Sequence, residues 1–289
     1  MAVKVVADTT HYMPAEVVAA HDIALVSLYV NWGDRQVKES ELGDFDAFYD
    51  ELLGARELPT TSQPSVGDFL TVYEPIVERG DDIVSIHLSG GISGTVASAE
   101  QARSVLVDRG LAPERIVVVD SETGCAGHGM LAIAASNAGR AGASAAEAAE
   151  AARRAGADVQ LLFAVDTLEF LRRGGRIGAA SAYLGTALKI KPILTFEDQI
   201  RPVERVRTTS RAQDRLVAHL EQRHASGCDV FFVQHVHAPD QAERMAERGR
   251  EIYGRDPEFV SEIGPVIGTH VGPGLIGVAG MRSSLLEAR

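Results

Sequence analysis

Apolar and polar positions along this chain follow two rhythms that alternate. Short apolar runs rich in β-branched residues recur at 3–7, 23–30, 82–88 and 116–120, and each predicts a buried strand. Stretches with helical spacing lie between and after them, at 14–20, 45–53, 66–79, 96–106 and 125–138. Strand and helix taking turns is the pattern of a parallel sheet covered by helices. The polar stretch 31–40 reads as a loop or hairpin. The second half predicts strands at 159–165, 190–197, 200–208, 229–236, 259–263, 266–271 and 275–281, with helices at 166–176, 179–188, 210–222 and 240–253. The runs 190–197 and 200–208 turn about Asp198-Gln199 as a hairpin, so the sheet of this half is mixed. Between the halves, the Ala/Gly-rich stretch 132–157 has strong helix propensity and reads as packed helices leading to a domain boundary. The expected fold class is α/β with two α/β domains, 1–156 mostly parallel and 157–289 mixed.

The joints between these elements are more informative than the elements. Residues 87–95 read HLSGGISGT: a strand breaks into a Gly/Ser loop and opens a helix. The first N–H groups of a helix lack intrahelical partners and the dipole is positive there, so such a loop suits a carboxylate or phosphate. A tight βα turn with Ser93 as the N-cap explains the same residues. Asp8-Thr9-Thr10 ends the first strand where ligands sit in open parallel sheets, or it caps the helix at 14–20. In LPTTSQP (58–64) two prolines flank four polar side chains, which predicts a rigid, hydroxyl-rich loop. Capping boxes are expected at Ser65-x-x-Asp68, Ser144-x-x-Glu147 and Ser210-x-x-Gln213.

Composition narrows the function classes. The chain has 289 residues and a formal net charge of −12, which argues against a nucleic-acid partner but leaves room for one local anion pocket. Two cysteines, Cys125 and Cys228, make no disulfide framework, and Cys125 at a helix start reads as structural. No stretch reaches the roughly 18 apolar residues of a membrane span, and the N-terminus has no signal-peptide pattern. A cytoplasmic protein, with at most transient membrane contact, is expected. No Walker-type GxxxxGK[ST] loop is present, so no nucleotide site or other cofactor is expected in the chain itself.

Three further candidates stand out. His235-Val236-His237 puts two imidazoles close together as a metal pair, but a site needs three or four ligands, no third converges, and no metal is expected. His270 stands beside a Gly-Pro-Gly turn, where it can donate to an anion or shuttle a proton. In DTLEFLRRGGR the helix dipole accounts for Arg172 and Arg173, while Arg176 lies beyond the glycines that end the helix.

Taken together, VADTT, TTSQPS (60–65), HLSGGISGT (87–95), DTLEFLRRGGRIG (166–178), LGTALKIKPIL (184–194), RVRT (205–208) and GTHVGPGLIGV (268–278) resemble the DegV family of bacterial fatty-acid-binding proteins almost end to end. The resemblance implies a long-chain fatty acid held with its carboxylate at the domain junction and its tail in an apolar tunnel. It further implies that a separate ATP-binding fatty acid kinase subunit phosphorylates the bound acid, so that this chain is not an enzyme by itself. The family's carboxylate-binding hydroxyls fall on Thr61 and Ser93, with Gly94 and Thr95 completing the loop and His270 joining them. Arg176, with His270, falls where phosphoryl transfer or the partner would be met. Two departures are Gly90-Gly91, where a Ser-Gly or Ser-Ser pair is usual, and Asp198-Gln199 in place of Asp-Gly. Competing readings are a subunit like the carbonyl-binding domain of dihydroxyacetone kinases, a serine hydrolase using Ser93 and His270, and a lipid carrier without a kinase.

Overall fold

The computed structural model describes residues 2–183 and 190–287. The chain divides into two compact units. One is formed by 1–29, 62–158 and 284–289, the other by 30–61 and 159–283.

The first unit is built on a four-stranded parallel sheet in the order Ala24–Val26, Val3–Asp8, Asp82–His87, Ile116–Asp120. Val5, Val6, Ala7, Ile83, Val84 and Ile86 are all buried, as strands covered on both faces require. The helices Val66–Glu78 and Thr95–Asp108 supply Phe69, Tyr73, Ile76, Ala99, Ala102 and Leu106 to a core with Val6, Ile83 and Ile116. Cys125–Arg140 packs on Val3–Asp8 and against Ala145–Asp158. Both expected capping boxes form here, Ser65 with Asp68 and Ser144 with Glu147.

The second unit holds a six-stranded mixed sheet in the order Gln199–Val206, Lys191–Glu197, Leu162–Ala164, Ile276–Met281, Val230–His235, Val260–Glu262. Only the last pair is parallel; the other pairings run antiparallel. Thr209–Ala225 and Pro239–Tyr253 cover it with Leu216, Leu220, Met245 and Ala246. A three-stranded sheet, in the order Arg35–Lys38, Tyr29–Trp32, Thr60–Ser62, accompanies the helix Phe45–Gly54.

A parallel sheet in one unit and a mixed sheet in the other match the expected α/β class. Several local expectations are corrected. The run 23–30 is two strands, Ala24–Val26 and Tyr29–Trp32, in two different sheets, because the chain breaks at Ser27-Leu28. LPTTSQP is no loop at its centre: Thr60–Ser62 pairs with Tyr29–Trp32. Residues 266–271 are not a strand but the end of the helix Pro265–Val271, opened by a proline at its first position. The cap expected at Ser210 lies at Thr208, whose side chain accepts the Arg211 N–H. Of the helix expected at 179–188, Gly178–Tyr183 is a 3-10 turn, and the remainder lies outside the described residues.

The segment 30–61 lies with the second unit rather than with the rest of 1–156 because polar anchors hold it there. The buried Tyr49 hydroxyl donates to the Ile263 carbonyl at 2.5 Å, and the buried Glu39 carboxylate accepts the Val266 N–H at 2.8 Å. Residues from 284 onward return to the first unit, where the Asn137 amide donates to the Leu286 carbonyl.

Candidate functional site

Of the residues singled out from the sequence, Thr61, Arg176 and His270 come together in the second unit. The strand Thr60–Ser62 presents Thr61, and the last turn of Pro265–Val271 presents His270. The Thr61 Oγ1 and His270 Nε2 lie 2.7 Å apart. His270 is 8 % exposed, and among the described residues its Nδ1 has no hydrogen-bond partner. The neighbouring Thr269 hydroxyl is likewise buried and unpartnered among the described residues. A cavity of about 290 Å³ opens here, lined by Pro59, Thr60, Arg173, Arg176, Thr269 and His270 among others.

Arg176 reaches this cavity because Gly175, at φ +71°, turns the chain after the helix Glu169–Arg173. Its Nη1 donates to the Gly174 carbonyl at 2.8 Å. Burial, and then the charge of Arg176, push the His270 pKa down to about 4. The ring is therefore neutral at pH 7, with one nitrogen donating and the other accepting. A hydroxyl, a neutral imidazole with a spare nitrogen, and a guanidinium form a set that can accept a carboxylate or phosphate without charging the histidine.

Gly174 is what lets His270 sit there. A Cβ at 174 would run into His270 Nδ1 and come within 3.1 Å of the Phe170 carbonyl, a backbone atom that cannot swing away. Gly174→Ala is expected to displace the imidazole and to cost about 1–3 kcal/mol, the range for overpacking a filled site. Urea unfolding would read the loss, and the His270 ring resonances would read the displacement. An unchanged midpoint with unchanged resonances would contradict this account.

Ser93, Gly94 and Thr95 form a second group, in the first unit. Gly94, not Ser93, is the N-cap of Thr95–Asp108, so the expected side-chain cap at Ser93 is corrected. The Ser93 Oγ accepts the Thr95 N–H at 3.3 Å and lies 2.8 Å from the Thr95 hydroxyl. Gln63 packs on Gly94: a Cβ there would fall 2.8 Å from its Nε2. The glycine therefore admits a close amide, and the motif TTSQPS contributes to this turn through Gln63. Ser89 is fully buried, with its Oγ accepting the Gly91 N–H, and Asp120 accepts the Gly90 N–H.

Asp8 neither caps 14–20 nor lies open at a strand end. It caps the 3-10 turn Thr9–His11 and is fully buried. A chain of hydrogen bonds runs from the Tyr73 hydroxyl to Ser85 Oγ at 2.6 Å, from Ser85 to His87 Nε2 at 2.6 Å, and from His87 Nδ1 to Asp8 at 3.2 Å. Serine, histidine and aspartate in that order look like a hydrolase triad. Ser85 and His87 are both fully buried, so no substrate reaches the hydroxyl. The network was not legible from the sequence because Asp8 and His87 lie 79 residues apart.

The histidine pair is split. His235 is buried and its Nδ1 accepts the Ala238 N–H, whereas His237 turns toward Asp46 of the helix Phe45–Gly54.

The DegV family model matches residues 2–282 of the chain. The chain belongs to the DegV family. A DegV domain-containing protein of Streptomyces coelicolor is 41 % identical to it over 281 residues, covering 96 % of this chain and 97 % of that protein. Among solved structures, DegV from Bacillus subtilis, described as a fatty acid binding protein, is 35 % identical with a TM-score of 0.85, covering 98 % of this chain and 99 % of that one. A DegV family protein from Thermus thermophilus, described with fatty acid binding, is 31 % identical with a TM-score of 0.86, covering 98 % and 100 %. As a DegV protein the chain has no described helix long and apolar enough to cross a membrane.

Proposed function

We propose that this chain binds a long-chain fatty acid in the cytoplasm and presents its carboxylate to a separate ATP-dependent kinase subunit, which converts it to an acyl phosphate. The observation that carries the reading is the Thr61–His270 pair, a hydroxyl 2.7 Å from a neutral imidazole whose other nitrogen is unpartnered among the described residues. The fatty acid binding attributed to the B. subtilis and T. thermophilus proteins supports the choice of ligand. The physics agrees. Each buried methylene is worth about 0.8 kcal/mol, so the tail supplies most of the affinity. A buried carboxylate must then be met by donors, because an unpaired buried charge is costly. Thr61 and His270 fill that role in the second unit, and the Ser93–Gly94–Thr95 turn offers hydroxyls and helix N–H groups in the first. The sequence holds no Walker-type GxxxxGK[ST] loop, in keeping with ATP bound by a separate subunit.

Native mass spectrometry of the protein purified from bacteria is expected to show a co-purified C14–C18 acid. Removing one hydrogen bond to a charged group costs about 1.5–3 kcal/mol. Thr61→Ala and Ser93→Ala are therefore each expected to weaken oleate binding by roughly ten- to a hundredfold in calorimetry, with unchanged circular dichroism. A delipidated protein that takes up no oleate, or two variants with wild-type affinity, would sink the proposal.

A further inference from the structure

The helix Phe45–Gly54 carries two carboxylates one turn apart, Asp46 and Asp50, and both face the ring of His237. Asp46 Oδ1 is 3.0 Å from Nδ1, and Asp50 Oδ1 is 3.5 Å from Nε2. His237 lies just past the strand Val230–His235, while Glu262 ends the neighbouring strand Val260–Glu262, in register with His235. The Glu262 carboxylate accepts the His237 N–H at 3.1 Å. One ligand atom from each of Asp46, His237 and Glu262 lies within 4.8 Å of the others. We propose that Asp46, His237 and Glu262 form a binding site for a first-row divalent cation, with water completing its coordination.

Charge is the first argument. Three carboxylates surround one imidazole, so the cluster remains net negative even when the ring is protonated. Glu262 is only partly exposed, so its repulsion with the neighbouring carboxylates is less screened by water. A dication removes that repulsion. The donor set is the second argument. Imidazole nitrogen with carboxylate oxygens suits Zn²⁺, Mn²⁺, Fe²⁺ or Co²⁺, whereas Mg²⁺ and Ca²⁺ prefer oxygen alone. Geometry is the third. Ligands about 2.0–2.2 Å from one Zn²⁺ lie roughly 3–3.5 Å from each other. The spacing of Asp46 and His237 already meets this, and a Glu262 ligand atom lies within 4.8 Å of both.

Bound there, the cation ties the helix Phe45–Gly54 to the C-terminal ends of two strands of the second unit. Asp46 and His237 are 191 residues apart in sequence, so the tie closes a long loop and stabilises the folded state. The neighbouring His235 is excluded as a ligand by its burial and its bond from Ala238.

The test is a titration of the chelator-stripped full chain with ZnCl₂ and with MgCl₂, by calorimetry and by thermal melting. Saturable binding of one Zn²⁺ is expected, with a raised melting temperature and no response to Mg²⁺ at the same concentration. His237→Ala and Glu262→Gln are each expected to weaken Zn²⁺ binding by more than the roughly tenfold that losing a hydrogen-bond partner of a ligand costs. Asp46 is exposed, so Asp46→Asn gives the same reading should a strand-end variant unfold. X-ray absorption of the loaded protein is expected to show nitrogen and oxygen neighbours only. The proposal falls if wild-type protein binds no Zn²⁺ saturably, if the three variants bind it equally well, or if sulfur appears in the coordination shell, which would place the ion at a cysteine.

Discussion

Asp8→Ala is expected to destabilise the protein by about 3–5 kcal/mol, the range for removing one partner from a buried charged network. Asp8 is fully buried and accepts the Thr10 N–H at 3.0 Å, the Thr10 hydroxyl at 2.5 Å and the Leu88 N–H at 2.9 Å, with His87 Nδ1 at 3.2 Å. Alanine leaves two backbone donors without an acceptor in a place water does not reach, each worth about 1–3 kcal/mol. Asp8→Asn keeps one acceptor oxygen and the volume, and should recover part of the loss.

The same carboxylate sets an acid limit. Burial alone would raise the Asp8 pKa, but His128, then the hydrogen bonds from His87 and Thr10, outweigh it and hold the group below its ordinary range. His128 is itself pushed down by burial, so at neutral pH the hydrogen bonds carry the effect. A depressed carboxylate stabilises fully above its unfolded pKa of about 3.9, and that contribution is lost as the pH falls below it. A second loss begins earlier. His11 is pushed down to about 3 and His270 to about 4, in both cases mainly by burial. The unfolded chain therefore binds more protons than the folded one below about pH 6.5. Urea midpoints should fall steadily from pH 7 to pH 4 in wild type and in Asp8→Asn alike, and then diverge, with the variant the flatter of the two. Parallel curves below pH 4 would contradict the role given to Asp8.

The contrast between Asp8 and Thr61 shows what a sequence can reveal here. Hydrophobic rhythm carried the parallel sheet of the first unit, because strands covered on both faces are apolar throughout and end at glycines or capping residues. Capping boxes at Ser65 and Ser144 were legible because the partners are three residues apart. Where the deciding partner is remote, the local pattern misled. Residues 266–271 have a strand's composition, yet a proline at the first helical position and the Glu39 carboxylate on the Val266 N–H make them a helix. Thr60–Ser62 has a loop's composition and becomes a strand because Tyr29–Trp32 offers it an edge. The site shows the same division. Thr61, Ser93, Arg176 and His270 announced themselves through glycine and proline nearby. Asp46 and Glu262 did not, since each gains its meaning only from a residue brought to it by the fold.

Arg176→Ala is expected to keep fatty acid affinity within about tenfold of wild type, roughly 1.4 kcal/mol, and His270→Ala to lose as much affinity as Thr61→Ala, yet both to lose most acyl-phosphate formation with a cognate kinase subunit. Affinity is spread over the tail and the Thr61–His270 pair, so loss of the Arg176 charge at the cavity is tolerated in binding. Transfer is less forgiving. A carboxylate oxygen must attack the γ-phosphorus as the bond to the departing ADP breaks, and fixed donors must meet the charge spread over the phosphoryl oxygens. Arg176 is already aimed by its bond to the Gly174 carbonyl, and His270 by Thr61 on one side and Gly174 on the other. Both line the cavity of about 290 Å³, where the arginine brings a permanent charge and the histidine an Nδ1 with no hydrogen-bond partner among the described residues. Removing one donor aimed at developing charge typically costs about 10²–10³ in rate, and that is the loss expected for each variant. The assay pairs ATP-dependent phosphorylation of bound oleate with a direct binding titration. Normal turnover in both variants would remove these residues from the transfer step. Parallel loss of binding and turnover in Arg176→Ala would place the arginine in the carboxylate pocket beside Thr61 and His270 instead.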